Sequence, residues 1–175
     1  MRSMWKTCAE VLALCVAAGV ASVANIATAA PAAVETFDKT TWPALVRTAK
    51  QPAIVVFTSV TCTHCPGAIA SLAKQRAQSS GSGRSPVPLL VVSMDADDDA
   101  SLLRDAHYAP ADRLFAFRGS QQALQYAVNP EWRGMTPYVA FVDGRGGARF
   151  VLGEPKAAVL QGWLQSGVQG GPKGK

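Results

Sequence analysis

Apolar residues along the chain fall into runs and periodic sets separated by polar or glycine-rich breaks, and their spacing predicts the elements in turn. Ala53-Ile54-Val55-Val56-Phe57-Thr58 is a continuous, β-branched run of the kind found in a strand buried on both faces. Ahead of it, Thr40 or Thr41 can cap a short helix with Pro43 in its first turn and Leu45 and Val46 facing inward, running to about Lys50. Behind it, Ile69, Leu72, Ala73 and Arg76 are spaced as on one helix from Cys62 or Thr63 to about Gln78. Leu89-Leu90-Val91-Val92-Ser93 predicts a second buried strand, and Asp99 or Ser101 opens a short helix reaching about His107. Strand, helix, strand implies a parallel, right-handed crossover. Arg113 to Arg118, with Leu114, Phe115, Ala116 and Phe117, predicts an edge strand, followed by a helix from Ser120 to about Val128. Tyr138 to Val142 and Ala148 to Leu152, joined by Asp143-Gly144-Arg145-Gly146-Gly147, predict an antiparallel hairpin. A last helix from Pro155 or Lys156 to about Ser166 would bury Leu160, Trp163 and Leu164. The order predicts an α/β fold, a mixed central β-sheet flanked by helices on both faces.

The two ends break this pattern. Arg2 and Lys6 form a positive start, Val11 to Val23 is apolar, and Ala27-Thr28-Ala29 fits the small-x-small rule, so residues 1–29 are expected to be a secretory signal cleaved after Ala29. The competing expectation keeps the segment as an N-terminal membrane anchor, because Val11 to Ala30 approaches the ~20 residues that span a bilayer; its alanines and Asn25 weaken that case. The remainder divides into a short linker over 30–36, one domain over 37–166 and a flexible tail over 167–175, with a second flexible stretch at Ser79-Ser80-Gly81-Ser82-Gly83. A chain of 175 residues is consistent with a single core. The net charge of +5 is scattered and forms no five-residue basic run, so no nucleic-acid partner is expected.

Cysteine usage changes the picture most. Cys8 and Cys15 fall in the signal, which leaves Cys62 and Cys65 as the only pair in the exported chain. A two-residue spacer closes almost no loop, so the pair is poor as a staple and suited to redox exchange. Placed in the first turn of a helix, the two sulfurs come within disulfide reach, and the unpaired N–H groups and positive dipole end favour a thiolate. Cys62 is then the acidic, exposed nucleophile and Cys65, one turn deeper, the resolving thiol, with His64, when protonated, tuning the thiolate. Pro137 stands at the entrance of a run that otherwise reads as a central strand. Two explanations are open: a trans proline that merely starts the strand, or a cis Thr136-Pro137 bond that leaves the Thr136 backbone free to pair with an extended substrate segment.

The helix-initial Cys62-Thr63-His64-Cys65, Arg133-Gly134-Met135-Thr136-Pro137, the Asp143-Gly144 hairpin, Gly153 and the last helix together resemble the thioredoxin superfamily over about Phe37 to Ser166. The extra strand-helix unit from Arg113 to Val128 and the export signal make the chain most similar to the periplasmic TlpA-like and Sco-like branches. The resemblance implies a thioredoxin-like fold in which Cys62 attacks, Cys65 resolves and Pro137 is the cis proline. It implies an exported, periplasmic thiol-disulfide oxidoreductase that exchanges disulfides with protein substrates and is served by a redox partner protein, expected to be membrane-bound, without cofactor or resident metal. The chain differs from the family in having Thr61 before the first cysteine, where tryptophan is common, and no acid within the first buried strand. The Sco-like side of the resemblance offers an alternative, a copper chaperone holding metal on the same cysteines and a histidine; its cysteines, however, are three residues apart rather than two. A peroxidase would need a proline where this chain has none, and only Ser59 stands three residues before Cys62.

Among the other residues, His107 is placed as a dipole partner at a helix end. Asp95-Ala96-Asp97-Asp98-Asp99 lacks the glycine and distal glutamate of a calcium loop and is expected to cap the following helix. Trp42 and Trp163 are expected to pack, as is Trp132, which, in the loop before Pro137, is in addition placed to touch substrate.

Overall fold

The structure is a computed structural model that describes residues 33–48, 51–80, 86–96 and 99–168. The expected signal over 1–29, most of the glycine/serine stretch and the tail beyond 168 lie outside the described residues. Among the described residues six strands form one sheet: β1 (Val34–Phe37), β2 (Ala53–Thr58), β3 (Leu89–Ser93), β4 (Arg113–Phe117), β5 (Tyr138–Val142) and β6 (Ala148–Leu152), in the order β1-β4-β3-β2-β5-β6. β1, β4, β3 and β2 run parallel, whereas β5 is antiparallel to β2 and β6 to β5, which makes the sheet mixed. Among the described residues four helices cover it: α1 (Thr41–Thr48), α2 (Cys65–Ser79), α3 (Gln121–Val128) and α4 (Ala157–Val168). None of the described helices is long and apolar enough to cross a membrane.

β2 is fully buried because every position is needed on one face or the other. Val55 and Phe57 enter a cluster with Trp42, Leu124 and Val128 from α1 and α3. Ile54 and Val56 enter a second cluster with Ile69, Leu72, Leu160 and Leu164 from α2 and α4. Burying a side chain such as Phe57 stabilises by about 1.5–3 kcal/mol relative to exposure. With both faces apolar, β2 is confined to the centre of the sheet, and its carboxyl end becomes the fixed point from which the cysteine segment departs.

Three expectations are corrected. Residues 34–36, placed in a linker by the sequence, form β1 together with Phe37, and the strand pairs with β4 through Val34↔Leu114 to Phe37↔Phe117. Four residues are too few for alternation to register, and the strand exists through its partner. β4, expected at an edge, therefore lies inside the sheet between β1 and β3, with Leu114 to Phe117 buried. The short helix expected from about Asp99 to His107 is two separate 3-10 turns, Ala100–Arg104 and Ala106–Tyr108, broken where the Asp105 carboxylate accepts the His107 N–H and starts the second.

Candidate functional site

β2 delivers the chain to the site, and a six-residue turn, not a helix, carries the first cysteine. The Cys62 N–H donates to the Ser59 carbonyl at 3.1 Å and the Cys65 N–H to the Cys62 carbonyl at 3.3 Å. α2 consequently begins at Cys65, later than the Cys62 or Thr63 start expected from periodicity, with His64 as its N-cap residue and Pro66 in its first turn. Pro66 lacks an N–H, and a helix's first turn is where that lack costs least. Cys62 and Cys65 are joined as a disulfide with Cα atoms 5.5 Å apart. Cys65 is only 1% exposed, whereas Cys62 is partly open to solvent. The His64 side chain caps no N–H and stands exposed at the same helix end.

An acid that the sequence assigned to helix capping holds this turn in place. Asp95, just past β3, accepts the Val60 N–H at 2.9 Å and the Ser59 hydroxyl at 2.6 Å, with Ser93 donating to it at 3.2 Å. Ser59 in turn accepts the Thr61 N–H at 3.2 Å. The capping role belongs to Asp99 alone of the two, through Ser101. The available signal for Asp95 was its position directly after a buried strand beside the one that ends at Thr58. No acid lies within β2; Tyr108 is buried in the cluster that packs under α2, and burial first, then Asp95 and Asp105, push its pKa up to about 12, so it takes no proton near neutral pH.

The second wall is the loop into β5. The Thr136-Pro137 peptide bond is cis, and neither the N–H nor the carbonyl of Thr136 is hydrogen-bonded within the described chain. The Pro137 carbonyl accepts the Gly153 N–H at 2.8 Å, which ties this loop to the end of β6. Gly134 precedes it at φ +79°, in the left-handed region that strains any residue with a Cβ, while the flexible Gln125 amide 2.7 Å from that Cβ position could give way. Trp132, expected to touch substrate, is instead 6% exposed. It stacks on Tyr138 at 4.7 Å, packs on Phe57 at 5.0 Å, and donates its indole N–H to the Met135 carbonyl at 2.9 Å, so it supports the loop from beneath. A single groove of about 540 Å³ joins Thr63, His64 and Gly67 to Met135, Thr136 and Pro137 and to Leu152, Gly153 and Glu154. A larger depression of about 690 Å³ lies at the opposite end of the parallel strands, between α1 and Arg113, and includes no cysteine or histidine.

Among the described residues, no three His, Cys, Asp or Glu side chains are grouped so as to hold a metal ion, which leaves the copper alternative without a geometric observation in its favour. His107 pairs with Asp105, 2.7 Å away, and takes no part in the site.

A mixed sheet with helices on both faces and a Cys-x-x-Cys pair at the amino end of the helix after the central strand defines the thioredoxin-like fold. Solved structures agree. A provisionally assigned thioredoxin from Neisseria meningitidis superposes with a TM-score of 0.54 at 13% identity, over 75% of this chain and 82% of that one. A thioredoxin-like protein from Porphyromonas gingivalis superposes with a TM-score of 0.50 at 22% identity, over 70% and 80%. A secreted disulfide oxidoreductase from Mycobacterium tuberculosis aligns more loosely, with a TM-score of 0.47 at 19% identity, over 68% and 84%. No family model matches the sequence, and no curated protein matches it.

Proposed function

We propose that the protein is an exported thiol-disulfide oxidoreductase that exchanges disulfides with protein substrates through Cys62 and Cys65. The observation that carries this reading is the asymmetry of the pair: an accessible sulfur at Cys62 bonded to a buried one at Cys65, at a helix amino terminus and beside an open groove. In the oxidised form a substrate thiolate attacks the Cys62 sulfur, the Cys62–Cys65 bond breaks, and Cys65 leaves as a thiolate that takes a proton. A second substrate thiolate then attacks the substrate sulfur of the mixed disulfide and releases Cys62. Two electrons and two protons have passed from the substrate dithiol to the protein, and the reverse sequence reduces a substrate disulfide. Cys62 is the attacking and attacked sulfur because Cys65 is out of reach; the Thr136 backbone, with Pro137 shaping the loop, offers an edge to an extended substrate segment. Export is supported by the signal-like residues 1–29, and a redox partner, expected at the membrane, would restore the starting state.

Insulin reduction under dithiothreitol tests the reading. Cys62→Ala should abolish it, and Cys65→Ala should accumulate mixed disulfides through Cys62. Adducts formed through Cys65 in Cys62→Ala, or undiminished turnover in that variant, would overturn the assignment.

A further inference from the structure

The groove beside the disulfide is unequal along its length. Its near wall, Thr63 and His64, is polar, but beyond Thr136 and Pro137 it turns apolar. Met135 is 55% exposed and Leu152 is 51% exposed, and these two of the four exposed large hydrophobic residues among those described line this one groove. Glu154 follows Leu152 at the far end, exposed and, among the described residues, without an ion pair or hydrogen bond, an acid on a chain whose net charge is +5. Between the ends, the unengaged Thr136 backbone offers a partner to extended chain, in which alternate side chains turn to opposite faces.

We propose that this groove selects its substrates: it accepts protein cysteines in extended segments that carry an aliphatic side chain beside the cysteine, seated on Met135 and Leu152, and a lysine or arginine further out, facing Glu154. The inference rests on the thiol-disulfide exchange reading above and adds the class of segment exchanged. The aliphatic contact removes apolar surface from water on both sides, and the charge contact, being exposed, adds a smaller and salt-sensitive preference.

The test uses the reduced, exported chain and short synthetic peptides with one cysteine blocked as a mixed disulfide with thionitrobenzoate. The Cys62 thiolate attacks the peptide sulfur, the aromatic thiolate leaves and is read by its colour, and Cys65 then displaces the peptide as a thiol, leaving the protein disulfide. Peptides pair Leu or Ala beside the cysteine with Lys, Ala or Glu further out, in both chain orders, and each rate is divided by that of blocked free cysteine on the same protein. In the favoured order, Leu should exceed Ala by about three- to tenfold, and Lys should exceed Glu by about two- to fivefold, less at high salt. Glu154→Lys should invert the charge preference, Glu154→Gln should erase it, and Met135→Ser with Leu152→Ser should erase the aliphatic one. Equal normalised rates for all peptides, or preferences that survive these substitutions, would overturn the selection while leaving exchange intact. Failure of Cys62 to react with blocked free cysteine would instead overturn the exchange reading.

Discussion

At the scale of single residues, two side chains of opposite character bear on one sulfur: His64, a cation only when protonated, and the Asp95 carboxylate. His64 stands at the α2 amino end beside Cys62, and the Asp95 carboxylate grips Ser59 and Val60 just ahead of it. A cation near Cys62 stabilises the thiolate and with it the reduced form, which raises the reduction potential; an anion does the reverse. Both groups are exposed, so each effect is small. An exposed charge at a helix end is worth about 0.3–1 kcal/mol, which for a two-electron couple is about 6–20 mV. His64→Pro, which removes the imidazole at a position whose N–H is unused, should lower the potential by up to that amount where His64 is protonated. Asp95→Asn, which keeps an acceptor for Val60 and removes the anion, should raise it. Potentials measured in a glutathione series decide: shifts of the same sign in both variants, or none in either, would mean that the helix terminus alone activates Cys62.

At the scale of elements, β1 depends on a titrating contact. It is a four-residue edge strand fastened by Glu35, whose carboxylate accepts from Arg113 Nε at 2.7 Å and from a terminal guanidinium nitrogen at 2.5 Å, while the guanidinium lies 4.7 Å over the Phe115 ring. The hydrogen bond from Arg113 holds the Glu35 carboxyl below its ordinary pKa, against a smaller opposing effect of burial. A depressed pKa means stabilisation that is present above the ordinary carboxyl range and lost as pH falls through the folded value. With both side chains about half exposed, the contribution is about 0.2–1 kcal/mol. Amide exchange along β1 should therefore quicken relative to β2 as pH falls below about 4, and Glu35→Gln should show the faster exchange already at neutral pH. Protection of β1 that is the same at pH 3 and pH 7, after correction for intrinsic rates, would show that backbone pairing alone holds the edge. Asp38 differs: four donors from Thr40 and Thr41, the Thr40 hydroxyl first among them, hold its pKa at about 2, so its cap on α1 survives to lower pH.

At the scale of the whole molecule, the core on the α1 and α3 side is connected to the groove through one indole. Phe57 packs against Phe37, Trp42, Trp132 and Tyr138, and Trp132 passes that rigidity to the Met135 carbonyl through its N–H. Trp132→Phe keeps most of the packing and loses a part-buried hydrogen bond, so it should cost about 0.5–1.5 kcal/mol in urea unfolding. It should also slow exchange with peptides more than with free cystine, because only peptides use the loop. An unchanged peptide-to-cystine ratio would show that the loop is held without Trp132.

What could be read from the sequence and what could not divide along physical lines. Both buried strands, the hairpin, the helices after Cys65 and Ser120, and the redox pair were legible because each is specified by neighbours in the chain: apolar runs, period, turn residues and a spacing of three. β1 was not legible, since Val34-Glu35-Thr36-Phe37 is a strand only once β4 lies beside it, and the same partner moves β4 from the edge to the interior. The start of α2 was misplaced because helical period cannot reveal that the Cys62 N–H is taken by Ser59. Asp95 and Trp132 acquired their roles from contacts 35 or more residues away in the first case and from burial against Phe57 in the second. The sequence by itself determined which two sulfurs pair, because a spacing of three between cysteines is a local arrangement. Only the tertiary structure decided what surrounds those sulfurs, because the groove is assembled from α2, the loop before β5 and the end of β6, which meet in space and not along the chain.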